Sequence, residues 1–255
     1  MVGVGALVGL VIGLTGEGSG SLLTPLLIIV AGMAPAEAVG TSLAFGFATK
    51  LFGTWNFYRK GLVRLDLVKK LVIGGVPGAL GGGYVIHYLG LHQPRFLNVF
   101  LMRTIGSILI LVSLMMFIKL VPWDWRPGVE RPEFFAGRQF SGLLILIGFV
   151  IGGVVSTTSI GSGALIVAAL VVLFPIKSGT LVGTSVVTGM VLVAISSLPY
   201  AAMGNIRWSI VGPMLFGSLP AIYYASKLHG RLHRTVPDAI IATALMAMGV
   251  HIIWS

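Results

Sequence analysis

The sequence predicts an all-α, polytopic membrane helical bundle of two inverted repeats, each with a broken or re-entrant first segment followed by three transmembrane helices. Three observations predict it. The 255-residue chain is 56% hydrophobic and only 9% charged, with a mean hydropathy of +1.01. A soluble domain carries roughly 25% charged residues, so the ionisable side chains here are too few to cover a water-facing surface. Apolar runs recur along the whole length, without the strict alternation of a barrel strand. The chain also contains itself twice in one register. Gly18-Ser19-Gly20 recurs as Gly161-Ser162-Gly163, and Val39-Gly40-Thr41-Ser42 as Val182-Gly183-Thr184-Ser185, a step of 143 positions. The same step carries Gly61 to Gly204, Arg64 to Arg207, Pro77 to Pro220, Pro94 to Pro237 and Gly106 to Gly249. In a chain this apolar, internal duplication marks a transporter whose site lies where two related halves meet. The halves are residues 1–120 and 139–255, joined by a cytoplasmic linker at 121–138.

Segment 1, residues 2–32, is apolar but interrupted by Thr15-Gly16-Glu17-Gly18-Ser19-Gly20. A continuous helix of ~31 residues would reach ~46 Å, beyond a ~30 Å hydrocarbon core. The glycines therefore predict a break, and two half-helices of about a dozen residues each suit a re-entrant hairpin. Segment 5, residues 140–175, repeats the pattern around Ser156-Thr157-Thr158-Ser159-Ile160-Gly161-Ser162-Gly163. Full spans are predicted at 36–57, 68–90, 95–119, 180–203, 209–228 and 237–254.

Loop charge orients the bundle. With each hairpin entering and leaving on one side, each half crosses three times and the second half is inverted. The basic loop at 58–70 (Arg59, Lys60, Arg64, Lys69, Lys70), the linker and the loop at 227–235 (Lys227, Arg231, Arg234) then share the cytoplasmic side. The loops at 91–94 and 204–208 fall outside and are nearly free of Lys and Arg, Arg207 excepted. That is the positive-inside distribution. Trp55, Trp123, Trp125, Trp208 and Trp254 all lie near span ends, as an aromatic belt requires.

The absence of Cys excludes disulfides, thiolate metal sites and thiol-based transport chemistry. No metal or cofactor is expected. The net charge of +10 is that of cytoplasmic loops facing anionic lipid, not of a nucleic-acid binder. Nothing resembles a cleaved signal peptide, since the first apolar segment lacks a basic leader. The expected partners are the lipid bilayer and a small anionic substrate, with protons as the candidate coupling ion.

The paired breaks are the strongest functional signal. Backbone N–H groups at the start of each second half-helix, residues 19–22 and 162–165, carry the positive end of a helix dipole and suit an anion. Gly18, Ser19, Gly20, Gly161, Ser162 and Gly163 are therefore candidate substrate-lining residues. Thr41, Ser42, Thr184 and Ser185 lie about one turn into the next spans, where hydroxyls can bond a ligand or their own helix. Glu17, Lys50, Arg103 and His251 are ionisable within predicted spans or breaks, where charge is costly and by default functional or paired. None has an ionisable counterpart in the other half (Ile160, Val193, Met246 and Ile108). Glu17 and Lys50 are the candidate coupling pair, with snorkelling of Lys50 to the cytoplasmic side as its rival. Arg103 either neutralises the substrate or reaches the outer interface; His251 and His87 are read as interfacial. Arg64 and Arg207 fall at opposite faces, as anion recruiters or headgroup anchors.

These motifs in this order resemble the TauE/SafE family of sulfite exporter-like membrane proteins. The resemblance rests on Gly18-Ser19-Gly20 with Pro25, Ala38-Val39-Gly40-Thr41-Ser42, and Tyr58-Arg59-Lys60-Gly61 before a basic stretch. It continues in Gly161-Ser162-Gly163, Val182-Gly183-Thr184-Ser185 and Gly204-Asn205-Ile206-Arg207. The resemblance covers nearly the whole chain except the linker. It implies export of a small sulfur-containing anion (sulfite, sulfoacetate or another organosulfonate) across the bacterial inner membrane. Glu17 departs from the small or apolar residues that family members tend to carry in the first break.

Two other classes compete. An intramembrane serine protease would need Gly-x-Ser-Gly, but Glu17 and Ile160 occupy the first Gly position before Ser19 and Ser162. An anion channel, or a permease for carboxylates or other small anions, is the serious alternative, because re-entrant inverted halves also build pores. Saturation of flux separates channel from carrier. Short loops and the lack of a soluble domain argue against a receptor or scaffold.

Overall fold

The computed structural model describes residues 1–15, 20–120, 139–174, 178–228 and 235–254. Within them the chain forms ten helices and no strand: α1 (Val2–Thr15), α2 (Gly20–Ile29), α3 (Pro35–Arg59), α4 (Leu65–His92), α5 (Pro94–Leu120), α6 (Gln139–Thr158), α7 (Ala164–Leu173), α8 (Ser178–Ala202), α9 (Trp208–Leu228) and α10 (Thr235–Trp254). Each predicted full span is a helix and the second predicted break separates α6 from α7, whereas residues 16–19 of the first lie outside the described residues. The linker, with Trp123 and Trp125, lies outside the described residues, as do Arg231 and Arg234 of the loop after α9.

One length differs from expectation. α6 has 20 residues, about 30 Å of helix, and not the predicted dozen. The second break therefore follows a helix able to cross a membrane without its partner α7. By length and composition three helical stretches are apolar enough to cross: Pro94–Ile118, Ser141–Thr158 and Gly179–Ala202. Val2–Ile12, Gly20–Ile29, Trp208–Ile222 and Ala239–Trp254 are apolar but shorter.

Helix ends follow local chemistry. α3 starts with Pro35 in its first turn and has Glu37 there to meet the dipole. It ends where Gly61, at φ 65°, supplies the left-handed residue that closes a helix. The Gly61 N–H then reaches the Tyr58 carbonyl and the Leu62 N–H that of Phe57 (3.1 Å each). α8 ends the same way: Gly204 has φ 71°, its N–H reaches Ala201 (3.1 Å), and Asn205 N–H reaches Tyr200 (2.9 Å). The duplicated glycines are thus two copies of one helix stop.

Packing obeys the same 143-residue step. α4 packs along α6, and their counterparts α9 and α1 pack along each other; α5 crosses its own counterpart α10, and α3 crosses α8. Small residues let these helices touch backbone to backbone, the common device of membrane bundles. A Cβ on Gly74 would meet the Ile145 carbonyl, and one on Gly217 that of Val2; Gly148 meets Leu71 as Gly5 meets Met214, and Gly152 meets Gly75 as Gly9 meets Ser218. Gly106 and Gly249, equivalent to each other, face across the α5–α10 crossing. Two buried hydroxyls add cross-helix bonds: Ser113 donates to Ala242 carbonyl (2.7 Å) and Tyr200 to Ser156 carbonyl (2.9 Å).

Candidate functional site

The two breaks meet. Gly20, the first residue of α2, sits so close to Ser159 that a Cβ there would strike its carbonyl and lie 2.9 Å from its hydroxyl oxygen. The second break turns within three residues. Thr158 Oγ1 accepts the Ile160 N–H at 3.1 Å. Ser159 (φ 62°) and Gly161 (φ 88°) are both left-handed, and for Ser this is a strained conformation costing on the order of 1–3 kcal/mol. Residues 158–163 are all buried. Of the residues read as substrate-lining, Gly20, Gly161, Ser162 and Gly163 are therefore gathered at this contact. Glu17, Gly18 and Ser19 lie outside the described residues.

The second break lies against the middle of α3 and α8. Ser162 carbonyl is approached by Gly189 of α8 and accepts a hydrogen bond from Lys50 Nζ of α3 at 3.3 Å. Lys50 lies about 22 Å along α3 from Pro35 and about 14 Å from Arg59; Gly189 lies about 16 Å and 20 Å from the ends of α8. Lys50 is only 7% exposed, so it does not snorkel to the surface: the ammonium turns inward to a backbone carbonyl.

In the Gly-Thr-Ser motifs three of the four hydroxyls bond backbone groups. Arg64 N–H donates to Thr184 Oγ1 at 3.0 Å, and Arg207 N–H donates to Thr41 Oγ1 at 3.1 Å. Both threonines are fully buried. Each takes the N-cap amide of α4 or α9 in the opposite half, one of the donors that a helix start leaves unmet. Gly183 and Gly40 let the incoming loops approach, for a Cβ there would meet the carbonyls of Leu62 and Asn205. The motif is thus half of a reciprocal clasp, whose other half is the duplicated Gly-x-x-Arg. Ser185 bonds back to Val182 carbonyl at 2.9 Å, whereas Ser42 Oγ is buried without a partner.

The remaining charged candidates stay outside the breaks. Arg103 is exposed on the outward stripe of α5 with Phe96, Val99 and Leu111, so the structure does not gather it at the buried contact between the breaks. His251 is exposed and His87 half-buried. Arg207 pairs with Glu37 of α3 (2.7 Å) and Arg64 with Asp66 (2.6 Å). The Arg64 side-chain bond holds the Asp66 carboxyl below its ordinary pKa. Both arginines are spoken for as anchors.

Sequence reading missed three features. Gly189 repeats Gly46 at the same step of 143, so the duplication itself carried a signal for it. Ser159 stood within the predicted break, but nothing in the sequence marked its left-handed turn, and Thr24 carried no signal. Thr24, one turn past Gly20, has a fully buried hydroxyl without a partner. A shallow apolar hollow of about 450 Å³ lies beside Trp55 and Tyr58, and one of about 380 Å³ beside Gly82 and Phe100 reaches Thr157 at the end of α6.

A family model described as "Sulfite exporter TauE/SafE" matches residues 1–252. "Probable membrane transporter protein YjnA" of Bacillus subtilis (strain 168) is 33% identical over 98% of this chain and 97% of its own length. "Probable membrane transporter protein YdhB" of the same organism is 23% identical over 94% of each chain. A "Probable membrane transporter protein" of Xylella fastidiosa (strain Temecula1 / ATCC 700964) is 27% identical over 99% of this chain and 94% of its own. No solved structure matches the chain.

Proposed function

The chain belongs to the sulfite exporter TauE/SafE family, and from that premise we propose that it is a secondary transporter of the bacterial inner membrane exporting a small sulfur-containing anion. The substrate is sulfite, sulfoacetate or another organosulfonate. It binds where the two broken segments meet and moves by alternating access as two inverted halves rock about that site. The observation that carries this reading is the Gly20–Ser159 contact. It sets the backbone N–H groups of a helix start (residues 162–164) in a closed, water-poor place, where such groups hold an anion most strongly. The tight packing of the breaks suits a carrier that occludes its substrate better than a standing pore.

Glu17 is the proposed coupling group, exchanging a proton as an anion enters or leaves. Proteoliposome flux tests transport and coupling together. Uptake of sulfite or an organosulfonate is expected to saturate and to be driven by a pH gradient. Glu17→Gln is expected to abolish gradient-driven accumulation while exchange at equal pH persists. Non-saturating flux at channel rates would overturn the carrier, and a Gln variant that still concentrates substrate would remove Glu17 from the coupling.

The proposed topology puts both termini outside and the 121–138 linker in the cytoplasm, on the strength of loop charge. The long α6 makes this worth testing directly. The Cys-free chain allows single-Cys reporters: a Cys at Ser255 should label from outside and a Cys at Gly128 should not. The reverse pattern would sink the three-crossing halves.

A further inference from the structure

We propose that Lys50 is the counter-charge of the transported anion, and that its single ammonium makes the site select singly charged oxyanions over dianions. This rests on the anion site proposed at the breaks and assigns the residue that sets its charge selectivity.

The ammonium is buried near the middle of α3, with Lys50 only 7% exposed. An ammonium has three N–H donors. One reaches Ser162 carbonyl at 3.3 Å, beyond the usual range for such a bond. The other two meet no acceptor among the described residues, and no carboxylate among those residues pairs with it. A buried charge without full pairing is costly and suits a partner that comes and goes; Glu17 lies outside the described residues and acts here as the proton-exchanging group, neutral when the anion is bound. The partner must be anionic, must accept at least two hydrogen bonds, and must reach residue 162. A sulfonate, hydrogen sulfite or carboxylate meets all three conditions, because its oxygens accept bonds from a fixed ammonium and from N–H groups at the start of α7 together.

The duplication sharpens the case. The counterpart of Lys50 is Val193, which is 2% exposed, so the fold itself accommodates an apolar side chain at this position. Like Glu17, whose counterpart is Ile160, the cation is an asymmetric addition to duplicated halves. Gly189 lets the second break and the ammonium pack close to α8: a Cβ there would strike the Ser162 carbonyl and lie 3.2 Å from Nζ. One ammonium balances one negative charge. A dianion such as sulfate, the sulfite dianion or sulfoacetate would bring an unbalanced charge into a low-dielectric place and is disfavoured, which narrows the proposed substrates to hydrogen sulfite and singly charged organosulfonates.

The test measures binding of methanesulfonate, acetate and hydrogen sulfite against sulfate to the purified full-length protein, by thermal shift and calorimetry, in wild type, Lys50→Met and Lys50→Gln. Wild type is expected to bind at least one of the monoanions at least about tenfold more tightly than sulfate, and both neutral variants to lose at least about tenfold in that affinity. Without ligand, Lys50→Met is expected to melt no lower than wild type, because removing a buried, poorly paired charge relieves a penalty. Neutral variants that bind as wild type does would overturn the proposal, as would wild-type binding of sulfate as tight as that of the monoanions. A Lys50→Met protein that melts well below wild type would make the residue structural and overturn it equally. Wild type binding none of these anions would overturn the anion site along with it, whereas unaffected neutral variants in a wild type that binds would sink the Lys50 assignment alone.

Discussion

Gly74→Leu is expected to leave little folded protein, while Gly81→Leu on the same helix leaves stability within about 0.5 kcal/mol of wild type. Both glycines lie in α4. A Cβ on Gly74 would strike the Ile145 backbone carbonyl of α6, whereas nothing lies within 4 Å of one on Gly81. A backbone carbonyl cannot swing aside as a side chain can. Leu at 74 must therefore push the two helices apart, and the neighbouring approaches of Gly78 to Phe149 and Gly148 to Leu71 open with it. Overpacking typically costs about 1–3 kcal/mol and occasionally more. With several close approaches lost together, the expected cost is about 3 kcal/mol or more, a large part of the ~5–15 kcal/mol that holds a protein folded. The same contrast should recur in the second half, Gly217→Leu failing where Gly212→Leu is tolerated, since Gly217 meets Val2 carbonyl and Gly212 meets nothing. Size-exclusion profiles and melting temperatures in detergent decide it. Equal recovery of Gly74→Leu and Gly81→Leu would mean that the α4–α6 contact is looser than the geometry requires.

The sequence made the helices legible because apolar runs long enough to cross a membrane, stopped by Gly and Pro, leave few alternatives. It made the second break legible because glycines stand inside a segment too long for one crossing. The length of α6 was not legible: Leu, Ile and Val carry the helix through Thr158, and no residue in that run marks where a half-helix should begin. The Gly-Thr-Ser motif shows the limit most clearly. A Thr one turn into an apolar helix looks the same whether its hydroxyl meets a ligand or a foreign helix start. What distinguishes the two is a partner motif 20 or so positions later in the chain, Gly61-Leu62-Val63-Arg64 after Thr41 and Gly204-Asn205-Ile206-Arg207 after Thr184. Each is duplicated at the same step, yet each Thr bonds the copy belonging to the other half. Pattern along the chain shows that both motifs are kept; only the fold shows that they are crossed. Lys50 was legible as costly but not as inward-facing, because direction depends on Gly189 and Ser162 in the other half.

Replacing Thr184 by Val is expected to destabilise the protein by about 1–3 kcal/mol, the cost of leaving a buried or half-buried donor without its acceptor. Val keeps the shape of Thr and removes only the hydroxyl. Arg64 N–H then loses its bond at the start of α4, and the bond from Thr184 to Thr180 carbonyl (2.7 Å) is lost with it. Thr41→Val removes the equivalent acceptor from Arg207 N–H, but the two clasps are not equal. Arg207 is also tied to α3 through its side chain, which reaches Glu37 at 2.7 Å, one turn before Thr41. Arg64 has no such second tie to α8: its guanidinium turns to Asp66 of its own helix, and position 180, the counterpart of Glu37, is a Thr. The start of α9 therefore stays tethered when its Thr is lost, and the start of α4 does not. The expected order of melting temperatures is Thr41→Val above Thr184→Val, with the double variant lowest. Thr184→Ser, which restores the hydroxyl without the methyl, should recover most of the loss. If Ser fails to rescue, the methyl and not the hydrogen bond holds the halves together; if Glu37→Gln does not bring Thr41→Val down toward Thr184→Val, the second tether contributes nothing.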